Sequence, residues 1–328
     1  MKDRLLELIE GISRTRLLVF GDLILDQFLF GEISRISREA PVLILKYRET
    51  AIAAGGAANA ANNAAALGSS VTTVGVLGAD NWGKQLAGLL PPGAETVTED
   101  SYSTPTKIRI LGGSSHSPRQ QIVRLDYESA VRQSTQLEQR LSHLIESVVE
   151  NVNGAVISDY GGGTVAPHLV ETIVKSCGAR KIPVVVDSRF SLLRYSGATA
   201  MTPNISEVED ALHEKIAHDE SRIEAVGREL RRKCDLQALL ITHGRFGMTL
   251  IDNQERATHI PIFGSDEVAD VTGAGDTVIA AFTSALAAGA TFFEAAMLAN
   301  YAAGLVVMKR GIATVTPEEL TKAVAADE

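Results

Sequence analysis

Ala155-Val156-Ile157-Ser158-Asp159-Tyr160, a helix-period segment over 165–177, and then Ile182-Pro183-Val184-Val185-Val186-Asp187 decide the fold class. Two short aliphatic runs, each closed by an aspartate, flank one helix-length segment. Continuous apolar runs are the mark of strands buried on both faces, as in parallel sheets. The unit repeats in both directions. Residues 17–20 end at Gly21-Asp22, 71–77 end at Gly78, and 238–242 end at His243-Gly244. Helix-period segments at 57–67, 206–213, 221–234 and 275–288 lie between them. The alternation predicts a layered α/β fold, a mostly parallel sheet with helices on both faces.

Two regions break this rhythm. Residues 28–48 and 106–127 are charged and strand-like, with alternation such as Lys107-Ile108-Arg109-Ile110, and no helix follows either. They predict a small β layer projecting from the main sheet. Ligands in such folds bind outside the carboxyl ends of the strands, where that layer would act as a lid.

The bulk properties narrow the function. The 328 residues carry a formal charge of −9 with no dense Lys/Arg run, which argues against a nucleic-acid binder. A small anionic substrate remains compatible, since it needs only a few cations and backbone amides. Cys177 and Cys234 lie far apart and read as free thiols of a cytoplasmic protein, not as a disulfide or metal pair. Acids interrupt the apolar pattern of the first 16 residues, so they do not read as a secretory signal. The uncharged stretch 277–293 is built from Ala, Gly, Thr and Ser, which predicts a buried helix and no membrane span. No repeat or linker divides the chain, so residues 1–328 are expected to form one domain.

Gly78-Ala79-Asp80-Asn81-Trp82-Gly83-Lys84-Gln85 fits the opening of a P-loop, but Gln85 stands where Ser or Thr would hold Mg²⁺. It reads as a structural strand-to-helix turn. No GxGxxG follows the first strand, which disfavours a nicotinamide enzyme.

The strongest motif is Asp270-Val271-Thr272-Gly273-Ala274-Gly275-Asp276-Thr277, directly before the uncharged helix. First-turn N–H groups of a helix are unpaired and partly positive, so this corner can hold an anion without a basic side chain. A carboxylate at such a corner repels the anion unless it is there to accept a proton from an attacking hydroxyl. Phosphoryl transfer calls for both groups. The bland alternative is that Asp276 simply favours a helix N-terminus.

These residues resemble the signature DTxGAGD of the ribokinase-like (PfkB) carbohydrate kinases, with Val271 in place of the first Thr. The resemblance implies a three-layer αβα sandwich with a mostly parallel central sheet and a small β-sheet lid. It implies that Asp276 is the catalytic base and that the Gly273, Ala274 and Gly275 amides form an anion hole. Further stretches resemble family elements in the expected order. Gly55-Gly56-Ala57-Ala58-Asn59 is similar to GGxxN, implying sugar contacts by Gly55, Gly56 and Asn59, and Asp22 matches an Asp that pairs with sugar hydroxyls. Asn204-Ile205-Ser206-Glu207 resembles NxxE, implying contact with nucleotide phosphates and Mg²⁺ organised by Glu207 through water. Thr242-His243-Gly244 resembles a TxG turn on the ATP side.

Within the family, Ser34-Arg35-Ile36-Ser37-Arg38-Glu39-Ala40-Pro41-Val42 is close to the SRISPEAPV of kinases that phosphorylate O1 of D-glycero-β-D-manno-heptose 7-phosphate in lipopolysaccharide core synthesis. The stretches 158–161, 298–307 and 311–315 agree. Three positions depart: Arg38 replaces Pro, Gly162 replaces the Lys of DYGKG, and Asp187-Ser188-Arg189 replaces DPK. Arg35, Arg38, Lys107, Arg109, Arg124 and Arg189 are the candidates to hold a substrate phosphate. The resemblance further suggests a K⁺ site near Asp270 and a homodimer through the lid strands. The chain ends at Glu328 without an HxGH-type motif, so a kinase-only form is expected. Alternatives are a PfkB kinase acting on fructose, a ketodeoxy sugar acid or a nucleoside, or a non-catalytic sugar- or nucleotide-binding regulator.

Overall fold

The computed structural model describes residues 1–113, 120–216, 219–264, 270–309 and 311–327. Nine described strands form the large sheet. Their spatial order is Ala257–Ile260, Met248–Ile251, Ala238–Thr242, Ala200–Met201, Val184–Ser188, Gly154–Asp159, Arg16–Gly21, Ser70–Gly78 and Glu95–Glu99. Every neighbouring pair from Ala238–Thr242 to Glu95–Glu99 is parallel, and the two pairings at the other edge are antiparallel, with Met248–Ile251 running against the rest. The expected parallel core is present.

Alternation along each strand builds the layers. Leu17 and Val19 enter one core with helices Lys2–Ile12, Ala57–Ala66, Ala274–Ala287, Phe292–Val307 and Pro317–Ala326. Leu18 and Phe20 enter the other, with Thr135–Val149, Pro167–Ala179, Ile205–Leu212 and Glu220–Lys233. The uncharged stretch splits at Gly289 into the ends of two buried helices. Among the described residues no helix is long and apolar enough to cross a membrane. The helices Phe292–Val307 and Pro317–Ala326 escaped the periodicity reading, yet each opens with a Thr and Glu capping box visible in sequence.

Arg16–Gly21 lies between Ser70–Gly78 and Gly154–Asp159, so the chain turns to opposite sides of the sheet from its end. Such a switch point opens a crevice at the carboxyl ends. The small sheet starts there, in the order Leu43–Gly56, Leu23–Ile36, Thr106–Gly113 and Gln120–Tyr127. It is longer than the expected 28–48. Residues 49–56 are rich in Ala and Gly and carry little strand propensity, and pairing with Leu23–Phe30 imposes the strand on them. Residues 114–119 of the expected 106–127 lie outside the described residues.

The P-loop-like stretch is a structural turn. Asp80 caps the seven-residue helix Asn81–Ala87, accepting from the Gly83 amide at 2.7 Å and the Thr104 amide at 2.8 Å. The Gly78 amide donates to the Thr104 hydroxyl at 3.0 Å. These amides are occupied by the protein itself.

Candidate active site

Strand ends Gly21 and Asp159 bring two aspartates under one loop. Asp22, 1% exposed, accepts from the amides of Tyr160 (2.8 Å), Gly162 (2.9 Å) and Thr164 (3.1 Å). Asp159 accepts from the Gly161 amide at 2.9 Å and from the Ser188 and Tyr195 hydroxyls. The loop after Gly154–Asp159 is thus pinned from below. A Cβ at Gly162 would stand 2.8 Å from Asp22 Oδ1, so the loop passes close over that carboxylate. Three backbone amides of that loop thus engage the Asp22 carboxylate, which was expected to meet sugar hydroxyls.

Asp276 sits in the first turn of Ala274–Ala287 and is 4% exposed. Asn59 Nδ2 donates to its Oδ2 at 2.7 Å, and the Tyr160 hydroxyl donates to its Oδ1 at 3.0 Å. Asn59 is itself held by Asn63 Nδ2 (3.1 Å to Oδ1), and Thr277 donates to Asn63 at 2.9 Å. Burial pushes the Asp276 carboxyl up to about 6, against the opposing bonds from Asn59 and Tyr160. Gly273, at φ +81°, lets the chain enter this helix, and a Cβ there would lie 2.6 Å from Asn59 Nδ2.

Three expectations about this corner change. The Ala274 amide donates to the Val271 carbonyl at 3.2 Å, so it is not free for an anion. Gly275 is open: no protein atom lies within 4 Å of where its Cβ would stand. Gly55 and Gly56 are buried and pack against the Asp26 side chain and the Asp22 carbonyl, lining neither cleft described next. Asn59 likewise lines neither, and its amide bonds the Asp276 carboxylate.

A cleft of about 770 Å³ collects the residues expected on the nucleotide side: Asn204, Ile205, Ser206, Glu207, Thr242 and Gly244 line it together with Gly273, Gly275 and Asp276. Asn204 and Glu207 form a reciprocal capping box, 3.0 and 2.9 Å, on Ile205–Leu212. Asn204 bridges to Thr242 alongside, which fixes the two motifs against each other.

A second cleft, about 370 Å³, is lined by Asp22, Lys107, Arg124 and Arg189. Tyr160, Arg189 and Phe190 line both clefts and form the wall between them. Lys107 Nζ stands 5.0 Å from the Tyr160 ring centroid, and burial lowers its pKa. Arg124 makes a two-pronged bond to Asp126 at 2.8 Å, and the Arg189 guanidinium lies 5.7 Å from the Phe190 ring. Arg109 is spent on a buried pair with Asp26. Arg35 is not brought to the site. It lies exposed nine residues along Leu23–Ile36 from Asp26, about 30 Å at strand rise, and Arg38 lies beyond it.

Among the described residues no group of three or more His, Cys, Asp or Glu is placed to hold a metal by itself. The larger cleft nevertheless wants a cation. Asp187 is held well above the carboxylate range, first by burial and then by the charges of Glu207 and Asp276. Mg²⁺ fits such a wall, because it takes one or two carboxylates and otherwise waters and phosphates. Asp270 Oδ1 accepts from the Thr272 amide at 2.9 Å. The adjoining 265–269, which a K⁺ site near Asp270 would involve, lie outside the described residues.

Solved structures with this architecture include a ribokinase and a phosphofructokinase. The Arabidopsis thaliana ribokinase complexed with ribose and ATP superposes at TM-score 0.72, covering 95% of this chain and 99% of that one at 19% identity. Escherichia coli phosphofructokinase-2 in complex with potassium gives 0.74, with 95% and 98% covered at 18% identity. The fold is ribokinase-like. Residues 14–319 match the family described as pfkB family carbohydrate kinase. The chain is 40% identical over 316 residues to the bifunctional protein HldE of Histophilus somni and 40% over 317 to that of Pseudomonas aeruginosa. These matches cover 95% of this chain, which spans 64% of each relative's length. The chain belongs to the PfkB family of carbohydrate kinases.

Proposed function

We propose that the chain transfers the γ-phosphoryl group of ATP to O1 of D-glycero-β-D-manno-heptose 7-phosphate, with Asp276 as the base. The observation that carries this is one carboxylate, fixed by two donors, that lines a nucleotide-sized cleft and is bonded to Tyr160, a residue of the wall toward a cation-lined one.

ATP lies along Asn204, Ile205, Ser206, Glu207, Thr242 and Gly244, with its γ-phosphoryl group toward Gly275. Glu207 would hold Mg²⁺, which would supply charge neutralisation for the phosphates. The sugar occupies the smaller cleft, with one hydroxyl on Asp22. Lys107, Arg124 and Arg189 meet its 7-phosphate. Asp276 takes the proton of the attacking hydroxyl, and a carboxyl near 6 is ionised yet still basic at neutral pH. The first-turn backbone at Gly273 and Gly275 carries developing charge. The small sheet covers the sugar and excludes water.

The departures at Gly162 and Arg189 favour a second reading, a PfkB kinase acting on fructose, a ketodeoxy sugar acid or a nucleoside. A panel of phosphorylated and free sugars with MgATP separates the two. Turnover of the heptose 7-phosphate above the others supports the first, and turnover of unphosphorylated sugars alone removes it. A non-catalytic regulator is disfavoured by the assembled base and cleft.

The outer small sheet exposes Ile33, Tyr47, Ile122, Leu125 and Tyr127. Apolar patches of this kind mark interaction sites, and a second copy of the chain is the partner expected here. Sedimentation at micromolar protein tests the dimer.

A further inference from the structure

Tyr160 had no role in the sequence reading, yet it touches each part of the site. Its backbone amide is fixed by Asp22 at 2.8 Å, its hydroxyl donates to Asp276 Oδ1 at 3.0 Å, and its ring lies beneath Lys107 Nζ at 5.0 Å. It is also one of three residues lining both clefts. Asn59 bonds the other carboxylate oxygen of Asp276. A carboxylate bonded in this way on both oxygens cannot rotate about its last torsion without losing a donor.

We propose that Tyr160 is a positioning residue for Asp276: its hydroxyl fixes the carboxylate plane so that the lone pair left on Oδ1 faces the substrate hydroxyl. The inference rests on Asp276 being the base. Without the Tyr160 bond, Asn59 alone tethers the carboxylate and the reacting oxygen moves out of line. A misplacement of that kind costs roughly tenfold to a hundredfold in rate. The bond also favours the ionised carboxylate over the acid. The other charged groups around Asp276 are Asp26, which is paired with Arg109, Lys107, and Asp187 and Glu207 across the larger cleft. None of them is removed by changing Tyr160 to Phe.

The test is Tyr160→Phe in the full chain, assayed with MgATP and D-glycero-β-D-manno-heptose 7-phosphate from pH 5 to 9. Phe keeps the ring beneath Lys107, and the backbone amide still reaches Asp22. The expected result is a kcat lowered roughly tenfold or more, an ATP KM within about twofold of the parent, and an acid limb of kcat/KM displaced to higher pH. An unmoved acid limb, or a loss confined to sugar KM, overturns the proposal. If the parent turns over no sugar in the panel, the proposed function fails first. If the parent is active and the limb stays put, only the role of Tyr160 fails.

Discussion

Asn59 Nδ2 donates to Asp276 Oδ2 at 2.7 Å, joining two helices whose contacting residues stand 217 positions apart. The donor is set by Ala57–Ala66, the helix that the small sheet feeds, and the acceptor by Ala274–Ala287, the helix that opens toward the larger cleft. The Asp276 carboxylate is therefore held by the helix that follows strand Leu43–Gly56 of the small sheet. Thr277, Asn63 and Asn59 form one hydrogen-bonded line ending at Asp276.

Asn59→Asp places a second carboxylate in that line. Two carboxyls in contact share a proton, so the pair titrates with one value displaced upward. The acid limb of kcat/KM is expected to move above the about 6 of Asp276, with activity at pH 7 down at least about tenfold. A pH–rate profile matching the parent contradicts the contact.

Gly273→Ala combines a φ of +81° with a Cβ 2.6 Å from Asn59 Nδ2. Left-handed backbone at a non-glycine residue costs about 1–3 kcal/mol. Urea unfolding is expected to show a loss on that scale. Turnover should fall by more than the folded fraction does, because relief of the clash displaces Asn59.

Asp22→Ala removes the acceptor of three loop amides. Leaving buried donors unpaired costs about 1–3 kcal/mol each, less where water enters. A loss of at least about 2 kcal/mol is expected in denaturant unfolding. Sugar KM should rise while ATP KM holds, since Asp22, Gly161 and Gly162 line the smaller cleft and not the larger. Equal increases in both would contradict that division of labour.

Residues singled out at the GAGD corner, in 204–207 and in 242–244 line one cleft, and each group was legible because it lies in a short local turn. Asn204 and Thr242 meet because their strands are neighbours in the sheet. What was hidden depends on distant pairing or on backbone occupancy. Tyr160 reaches Asp276 across 116 residues, and no spacing announces it. Arg35 looked like a substrate residue, but strand length carries it away. Ala274 has the motif position of an anion donor, yet its amide already bonds Val271. The Ala- and Gly-rich residues before Gly56 became strand only through their partner.

Asp276 also leaves a signature on stability. The folded chain keeps its proton up to about pH 6, whereas an unfolded aspartate releases it near 3.8. Native stability from this group is full below about pH 4 and is lost as pH rises to 6, since the folded state then binds more protons than the unfolded one. In Asp276→Asn that loss is absent. The variant's stability relative to the parent should climb by roughly 2–3 kcal/mol between pH 4 and pH 7. Parallel denaturation profiles across that range would show that the carboxyl is not held up by burial.

The central claim is that Asp276 accepts the proton of the attacking hydroxyl, and single-turnover phosphorylation by Asp276→Asn at saturating MgATP tests it most directly. The account predicts a rate at least about a hundredfold below the parent, with nucleotide affinity unchanged. Phosphoryl transfer at a rate near that of the parent contradicts it.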